Sequence, residues 1–232
     1  MMFHLSLPRD QLTAYLRALL QHHIPDGCAI PSPERWLDRA LDRAEHCFGS
    51  IHRKYFREGD SLRFDHLNGD QMAAFLYLLA NTAWREDGEE ALATRLFYLN
   101  KILHGLDLYF AVQMPEAFRL VHPVGTVLGR ADYGNYLMVY QNCSVGADEA
   151  GIYPRFGEGT ILFSRSSVLG DCTLGDNVVI GANTFVLNTD VPADSVVVGQ
   201  YPNLRMLPNE RSVRERAFDP AGPVRTSAGA ST

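Results

Sequence analysis

Phe156-Gly157-Glu158-Gly159-Thr160-Ile161-Leu162-Phe163-Ser164-Arg165-Ser166-Ser167-Val168, continued through Leu174 and Ile180 to Val186, is the stretch that decides the fold. A large apolar residue returns at every sixth position: Phe156, Leu162, Val168, Leu174, Ile180 and Val186. Several are followed by glycine (Gly157, Gly175, Gly181), and the fifth place of each hexad is mostly small: Thr160, Ser166, Cys172, Val178, Thr184. An amphipathic helix would repeat at 3.6 residues and a half-buried strand at two, so neither makes this pattern. Hexads are the mark of a parallel β-helix. Each six residues form one short face with one large side chain pointing inward, and small residues let the chain turn the corner.

Working outward, the repeat occupies Val139 to Val191 and extends backward to Tyr133 and, one residue short, to Leu128. Its register breaks between Val145 and Phe156. There Ala147-Asp148-Glu149-Ala150-Gly151-Ile152-Tyr153-Pro154-Arg155 is too long for one face and is predicted to leave the coil as a loop. Loops carried on a rigid scaffold commonly hold function. The hexads end at Asp190-Val191-Pro192, and a last strand is predicted over Ser195 to Val198.

The first half reads differently. Apolar residues at helical spacing predict helices from Pro8 to His23, from Ser32-Pro33-Glu34 to Phe48, from near Asp70 to Asp87-Gly88, and from Glu89 to Ile102. His4 falls at a terminus expected to fray, and Gly49 to Asn68 is charged and irregular. Its basic patch His52-Arg53-Lys54 reads as a solvated face. The expected organisation is α+β: an all-helical domain over 1–105, a coil domain over 106–207, and a tail over 208–232. That tail is rich in Ala, Gly, Ser and Pro and is expected to lack fixed structure.

Composition narrows the classes. A formal charge of −6 argues against nucleic acid as a partner. Cys28, Cys47, Cys143 and Cys172 are scattered without a CxxC pair, and read as reduced packing residues rather than disulfides or metal ligands; no metal is expected. No leader pattern and no run of membrane-spanning length is found, so a cytoplasmic protein without a membrane partner is expected.

A hexad coil is a flat-sided prism with backbone groups along its edges, and such coils commonly assemble about an axis into trimers with grooves between protomers. A groove of backbone N–H and C=O groups suits a pantetheine arm, whose amides need partners. Of eight histidines, only His122 stands at the foot of the coil region, in Leu120-Val121-His122-Pro123-Val124-Gly125. A general base and a satisfied histidine at a domain junction are both consistent with that place. For the others, His104 included, surface or packing roles are expected.

The chain resembles the serine acetyltransferase family, in which a helical N-terminal domain precedes a left-handed β-helix of hexapeptide repeats. That family's segment DHATGIVVGET is similar to Val121-His122-Pro123-Val124-Gly125-Thr126-Val127-Leu128-Gly129-Arg130-Ala131, matching in the histidine, both glycines and the aliphatic pair between them. The family has the aspartate of DIHP fifteen residues before its histidine. Asp107 stands at that distance here, followed by Leu-Tyr-Phe. Val139-Tyr140-Gln141-Asn142-Cys143-Ser144-Val145-Gly146 resembles ILQSVTLG, and Phe97-Tyr98-Leu99-Asn100-Lys101 carries a fainter likeness into the last helix. The resemblance covers about 70 to 200, most specifically 107 to 187.

The resemblance implies acetyl transfer from acetyl-CoA, as co-substrate, to a small acceptor, serine or a serine-like metabolite. His122 would be the general base and Asp107 would hold its imidazole. Gly146 and Ala147 would supply oxyanion donors, and Ser164 and Ala182 would line the CoA groove. Coil geometry alone also accounts for residues as small as Ser164 and Ala182. A homotrimer, or two trimers joined through the helical domain, is implied. Departures concern the acceptor. The family's loop GGTGK…RHPKI holds the serine carboxylate with an Arg-His pair, where this chain has Ile152 and Tyr153, and the glutamate after its second glycine is Arg130 here. Arg130, Tyr153 and Arg155 are therefore candidate acceptor residues, with Asp65 the counterpart of the aspartate that meets the serine amine. Two alternatives stay open: an O- or N-acetyltransferase of a sugar or natural-product intermediate, and a non-catalytic assembly protein.

Overall fold

The computed structural model describes residues 2–29, 31–52 and 56–219. Four helices build the first half: α1 (Arg9–His23), α2 (Glu34–Gly49), α3 (Gly69–Asp87) and α4 (Glu90–His104). The Asn68 side chain starts α3 by accepting the N–H groups of Asp70 and Gln71, and Gly88 ends it at φ 66°. Gly105, at φ 61°, ends α4 in the same way. Every residue from Gln71 to Ala83 is buried, so α3 is the central helix, enclosed by its neighbours on all sides.

Helices build the first half as expected, but it also holds a small sheet, and His4 is not frayed. Strands β1 (Phe3–Leu5), β2 (Arg57–Glu58) and β3 (Ser61–Phe64) form a small sheet in the order β1-β3-β2, with His4 opposite Arg63. Strands of two to four residues are too short to display their period in sequence. Arg53 and Lys54, from the basic patch, lie outside the described residues.

The second half is the expected parallel β-helix. One face stacks β4 (Asp107–Leu108), β6 (Val127–Leu128), β9 (Ser144–Gly146), β12 (Ser167–Leu169) and β15 (Phe185–Leu187). A second stacks β5 (Phe118–Leu120), β8 (Leu137–Val139), β11 (Thr160–Leu162), β14 (Val178–Ile180) and the start of β16 (Ser195–Gln200). The third is β7 (Asp132–Tyr133), β10 (Arg155–Phe156) and β13 (Thr173–Leu174). The hexad residues become inward columns: Leu108, Leu128, Val145, Val168 and Val186 on the first face, and Leu120, Val139, Leu162, Ile180 and Val197 on the second, each no more than 2% exposed.

The small residues have a reason to be small. A Cβ on Gly134 would come within 2.4 Å of the Gly157 carbonyl oxygen, and one on Gly157 within 2.7 Å of that of Gly175. At the corners the chain enters the left-handed region in register. Gly105, Gly125, Asn142, Arg165 and Asn183 lie along one edge, and Tyr136, Gly159, Asn177 and Asp194 along another. Glycine, asparagine and aspartate tolerate that conformation best, which accounts for both sets except Arg165 and Tyr136.

The tail also departs from expectation between 208 and 219. Strand β17 (Asn203–Pro208) pairs antiparallel with β16, and α5 (Val213–Ala217) folds back onto the coil. Val213, Ala217 and Phe218 are fully buried, and Asn177 Oδ1 accepts the Val213 N–H at 2.9 Å. Three apolar residues within six positions suffice to anchor the segment, a signal hidden by the polar residues around them. The expectation for 220–232 falls outside the described residues. Among the described residues, no helix is long and apolar enough to cross a membrane.

Truncating one inward residue tests the stack. Leu162→Ala, at a fully buried position, is expected to cost about 2–5 kcal/mol in urea unfolding with little change in slope. Ser164→Ala, two residues on at the edge, should stay within about 0.5 kcal/mol of wild type.

Candidate functional site

His122 is presented by an interruption of the coil. From Leu120 to Val127 the chain advances seven positions, against five from Val139 to Ser144, Leu162 to Ser167 and Ile180 to Phe185, the turns stacked on it. The two extra residues are accommodated at the turn, where His122 takes φ 50° and leaves its side chain 77% exposed. A bond from the helical half holds it in place. The His122 N–H donates to Asp70 Oδ1 at 2.8 Å, and the same oxygen lies 3.6 Å from the ring Nδ1. Asp70 is in the first turn of α3, fixed by the Asn68 cap.

Asp70 and His122 line a cavity of about 390 Å³ where the helices meet the foot of the coil. Arg119 and His104 add polar groups to its wall, and Phe56, Leu103 and Val124 add apolar ones. His104 ends α4, and its Nδ1 lies 2.8 Å from Asn100 Oδ1. Burial pushes the His104 imidazole down to about 4, so it is neutral at physiological pH.

The residues singled out from sequence divide into groups. His122, Ser164 and Ala182 fall along one edge, with the Gln141 turn between the first two, and each has an exposed or half-buried side chain. Asp107 is not the carboxylate beside the imidazole: its Oδ2 binds Lys101 Nζ at 2.7 Å. In the two-residue strand β4, Leu108 takes the inward position and Asp107 faces α4 instead. Asp65 is also elsewhere, its carboxylate accepting from Arg63 and from the Leu67 N–H. Asp70, five residues on, is the acidic group that reaches the cavity.

Gly146 and Ala147 lie at a different edge of the prism, where the expected loop leaves the coil. Asp148 closes that loop by accepting the N–H groups of Ala150 and Ile152 at 2.9 and 3.0 Å. Tyr153 leans toward Gly129, and Arg155 binds Asp171 and Thr173 at 3.0 and 2.9 Å. Arg130 is exposed on the turn after β6. Within one chain none of these joins the His122 cavity. Of the cysteines, Cys47, Cys143 and Cys172 are buried as expected, with burial pushing the Cys47 thiol up to about 12, whereas Cys28 is exposed. Among the described residues, no group of three or more His, Cys, Asp and Glu is placed to hold a metal ion.

Along this coil, residues 153–188 match the family model described as bacterial transferase hexapeptide (six repeats). Within that class the chain is similar to serine acetyltransferases. It is 31% identical over 108 residues to the serine acetyltransferase of Synechococcus elongatus, covering 45% of this chain and 44% of that protein. It is also 31% identical over 143 residues to serine acetyltransferase 2 of Arabidopsis thaliana, covering 60% of this chain and 43% of that protein. The chain thus spans less than half the length of these two relatives.

Solved structures share the fold. The Vibrio cholerae serine acetyltransferase aligns with a TM-score of 0.65 at 20% identity, over 88% of this chain and 82% of that one. The Neisseria gonorrhoeae enzyme in complex with serine aligns with a TM-score of 0.62 at 22% identity, over 85% and 83%. The architecture expected from the hexads, helices followed by a parallel β-helix of this family's type, is therefore the one observed.

Sequence reading missed Asp70 and His104. Asp70 could have been found as the acidic residue in the first turn of the helix that Asn68 caps. No spacing marks His104, which ends α4 outside the hexads and is defined by its contact with Asn100. Two measurements test this geometry. Asp70→Ala should speed amide hydrogen exchange at His122 selectively, since that N–H loses its acceptor. Acidification from about pH 6.5 to 4 should destabilise the protein, because the unfolded state binds a proton that half-buried His104 refuses. His104→Phe should flatten that part of the stability-versus-pH curve.

Proposed function

We propose that the chain is an acetyl-CoA-dependent acyltransferase that acetylates the hydroxyl of serine or a closely related small amino acid. The observation that carries the reading is His122, pushed out of the coil beside the Asp70 carboxylate and opening into the 390 Å³ cavity. A histidine whose Nδ1 faces a carboxylate has its Nε2 available as a general base, and the carboxylate stabilises the imidazolium that forms. In this assignment Asp70 takes the orienting role that resemblance suggested for Asp107, which Lys101 already engages.

The cavity wall suits a zwitterion. Asp70 offers a negative charge to an ammonium, Arg119 offers a positive one to a carboxylate, and His122 stands with them for the hydroxyl. Arg119 thereby compensates for the family's Arg-His pair, whose place Ile152 and Tyr153 occupy. His122 Nε2 accepts the hydroxyl proton as the oxygen attacks the thioester carbonyl carbon. The carbon–sulfur bond then breaks, and the departing thiolate takes the proton back from the imidazolium. The products are the O-acetyl ester and free CoA. This direct route needs no acyl-enzyme, and buried Cys47, Cys143 and Cys172 take no part in it.

The edge shared by His122, Ser164 and Ala182 is the proposed path of the pantetheine arm, held by backbone N–H and C=O groups. Exposed Leu103, Tyr109, Val124 and Val127 beside that edge support its burial against further copies of the chain in a homotrimer. Such an assembly could bring a neighbour's 147–154 loop, with Tyr153, Arg130 and Arg155, to the groove. Three buried free thiols suit a reducing, cytoplasmic setting. The loop's Ile152 and Tyr153 favour one second reading, a transferase whose acceptor is a sugar or natural-product intermediate.

Thiol release from acetyl-CoA with serine and a panel of sugars and amines tests the proposal. Serine should give the highest kcat/KM. His122→Ala should lower kcat by about 10²- to 10⁴-fold, and Asp70→Asn by about 10- to 100-fold. Asp107→Asn should change it by less than about threefold. Turnover no faster than background hydrolysis with every acceptor would refute the reading.

A further inference from the structure

The His122 cavity contains a second histidine whose chemistry is set by its neighbours. Asn100 Nδ2 donates to the Ala73 carbonyl at 2.9 Å. A carbonyl only accepts, so the amide nitrogen of Asn100 must face Ala73 and its Oδ1 must face His104. That oxygen lies 2.8 Å from His104 Nδ1. It can only accept, so Nδ1 carries the proton and, in the neutral ring, Nε2 bears a lone pair. Among the described residues Nε2 makes no hydrogen bond. The ring edge that holds it runs along Gly69, whose added Cβ would sit 3.7 Å from His104 Cδ2, and both residues line the cavity.

A neutral imidazole that presents only an acceptor is suited to a donor. Asp70, on the same wall, is suited to a cation. A group that satisfies both is an ammonium, which has several N–H donors and a positive charge. Burial holds His104 neutral to about pH 4, and a bound ammonium would lower its affinity for a proton further. The two effects act together: the ring remains an acceptor when its ligand arrives. His122 differs, being largely exposed and held at its backbone by Asp70.

We propose that His104 is a specificity-determining residue of this site, its Nε2 accepting a hydrogen bond from the ammonium of an amino-acid acceptor that Asp70 holds by charge. This rests on the transferase reading for the name of the acceptor, but the binding contact can be tested without turnover. An acceptor with the same hydroxyl and carboxylate and no amino group makes neither contact. His104 thereby separates amino acids from hydroxy acids.

The test titrates wild type and His104→Phe with serine and with hydracrylate, which is serine without its amino group, by calorimetry. The imidazole nitrogens of the wild type are followed by ¹⁵N NMR. Serine should move the His104 Nε2 resonance, and His104→Phe should raise the serine Kd by about 10- to 100-fold. The Kd for hydracrylate should not change. His104→Gln, which restores an acceptor, should recover most serine binding, and it serves also if the phenylalanine variant does not fold. The proposal is overturned if both ligands weaken equally, if serine binds the variant as well as the wild type, if Nε2 does not respond, or if wild type binds no serine. Serine binding that depends on His104 without thiol release would overturn the transferase reading alone. Thiol release with an unaltered Kd in His104→Phe would overturn the His104 proposal alone.

Discussion

A parallel coil must return the chain to the same place after every circuit, and this requirement governs the second half of the molecule. Each circuit delivers its large side chains to shared inward columns, which are buried to within a few per cent. It also requires left-handed residues at stacked corners, where Gly125, Asn142, Arg165 and Asn183 succeed one another. The same requirement makes any departure conspicuous. An extra residue cannot be hidden inside a column only as wide as its side chains, so it must leave at an edge.

Two insertions occur among the described residues, and both carry residues of functional interest. The longer one, 147–154, forms a loop closed by Asp148. The shorter one, two residues in the turn before β6, puts His122 outside the coil and against α3. The helical half therefore contributes to the candidate site. Its first contribution is Asp70, delivered by a capped helix start, and its second is His104, delivered by a helix end. α3 and α4 converge on the foot of the coil, where Gly105 both ends a helix and starts the corner ladder.

This division explains what could be read from sequence. The coil was legible because one residue in six reports its position without reference to any other segment. His122 was legible because it alone of the histidines stands at the foot of the coil region and because it matches the histidine of the family motif. Asp70 was not, because its partner is fifty-two residues away and only packing brings them together. Asp107 was implied by the resemblance to the family's DIHP aspartate, but a matched position on a two-residue strand does not say which neighbour a side chain meets, and Lys101 met it. The small sheet of β1, β2 and β3 and the buried end of α5 escaped because each is shorter than the window over which periodicity can be counted. His104 was grouped with surface and packing histidines, and only its hydrogen-bonded Asn100 reveals which ring nitrogen is available.

The central claim is that the acceptor binds between the helical half and the coil, with His122 on its hydroxyl. A crystal structure of the protein with CoA and serine tests this most directly. The account predicts the serine hydroxyl within hydrogen-bond distance of His122 Nε2 and its ammonium between Asp70 and His104. Serine bound elsewhere, or seated with its hydroxyl away from His122, would contradict it.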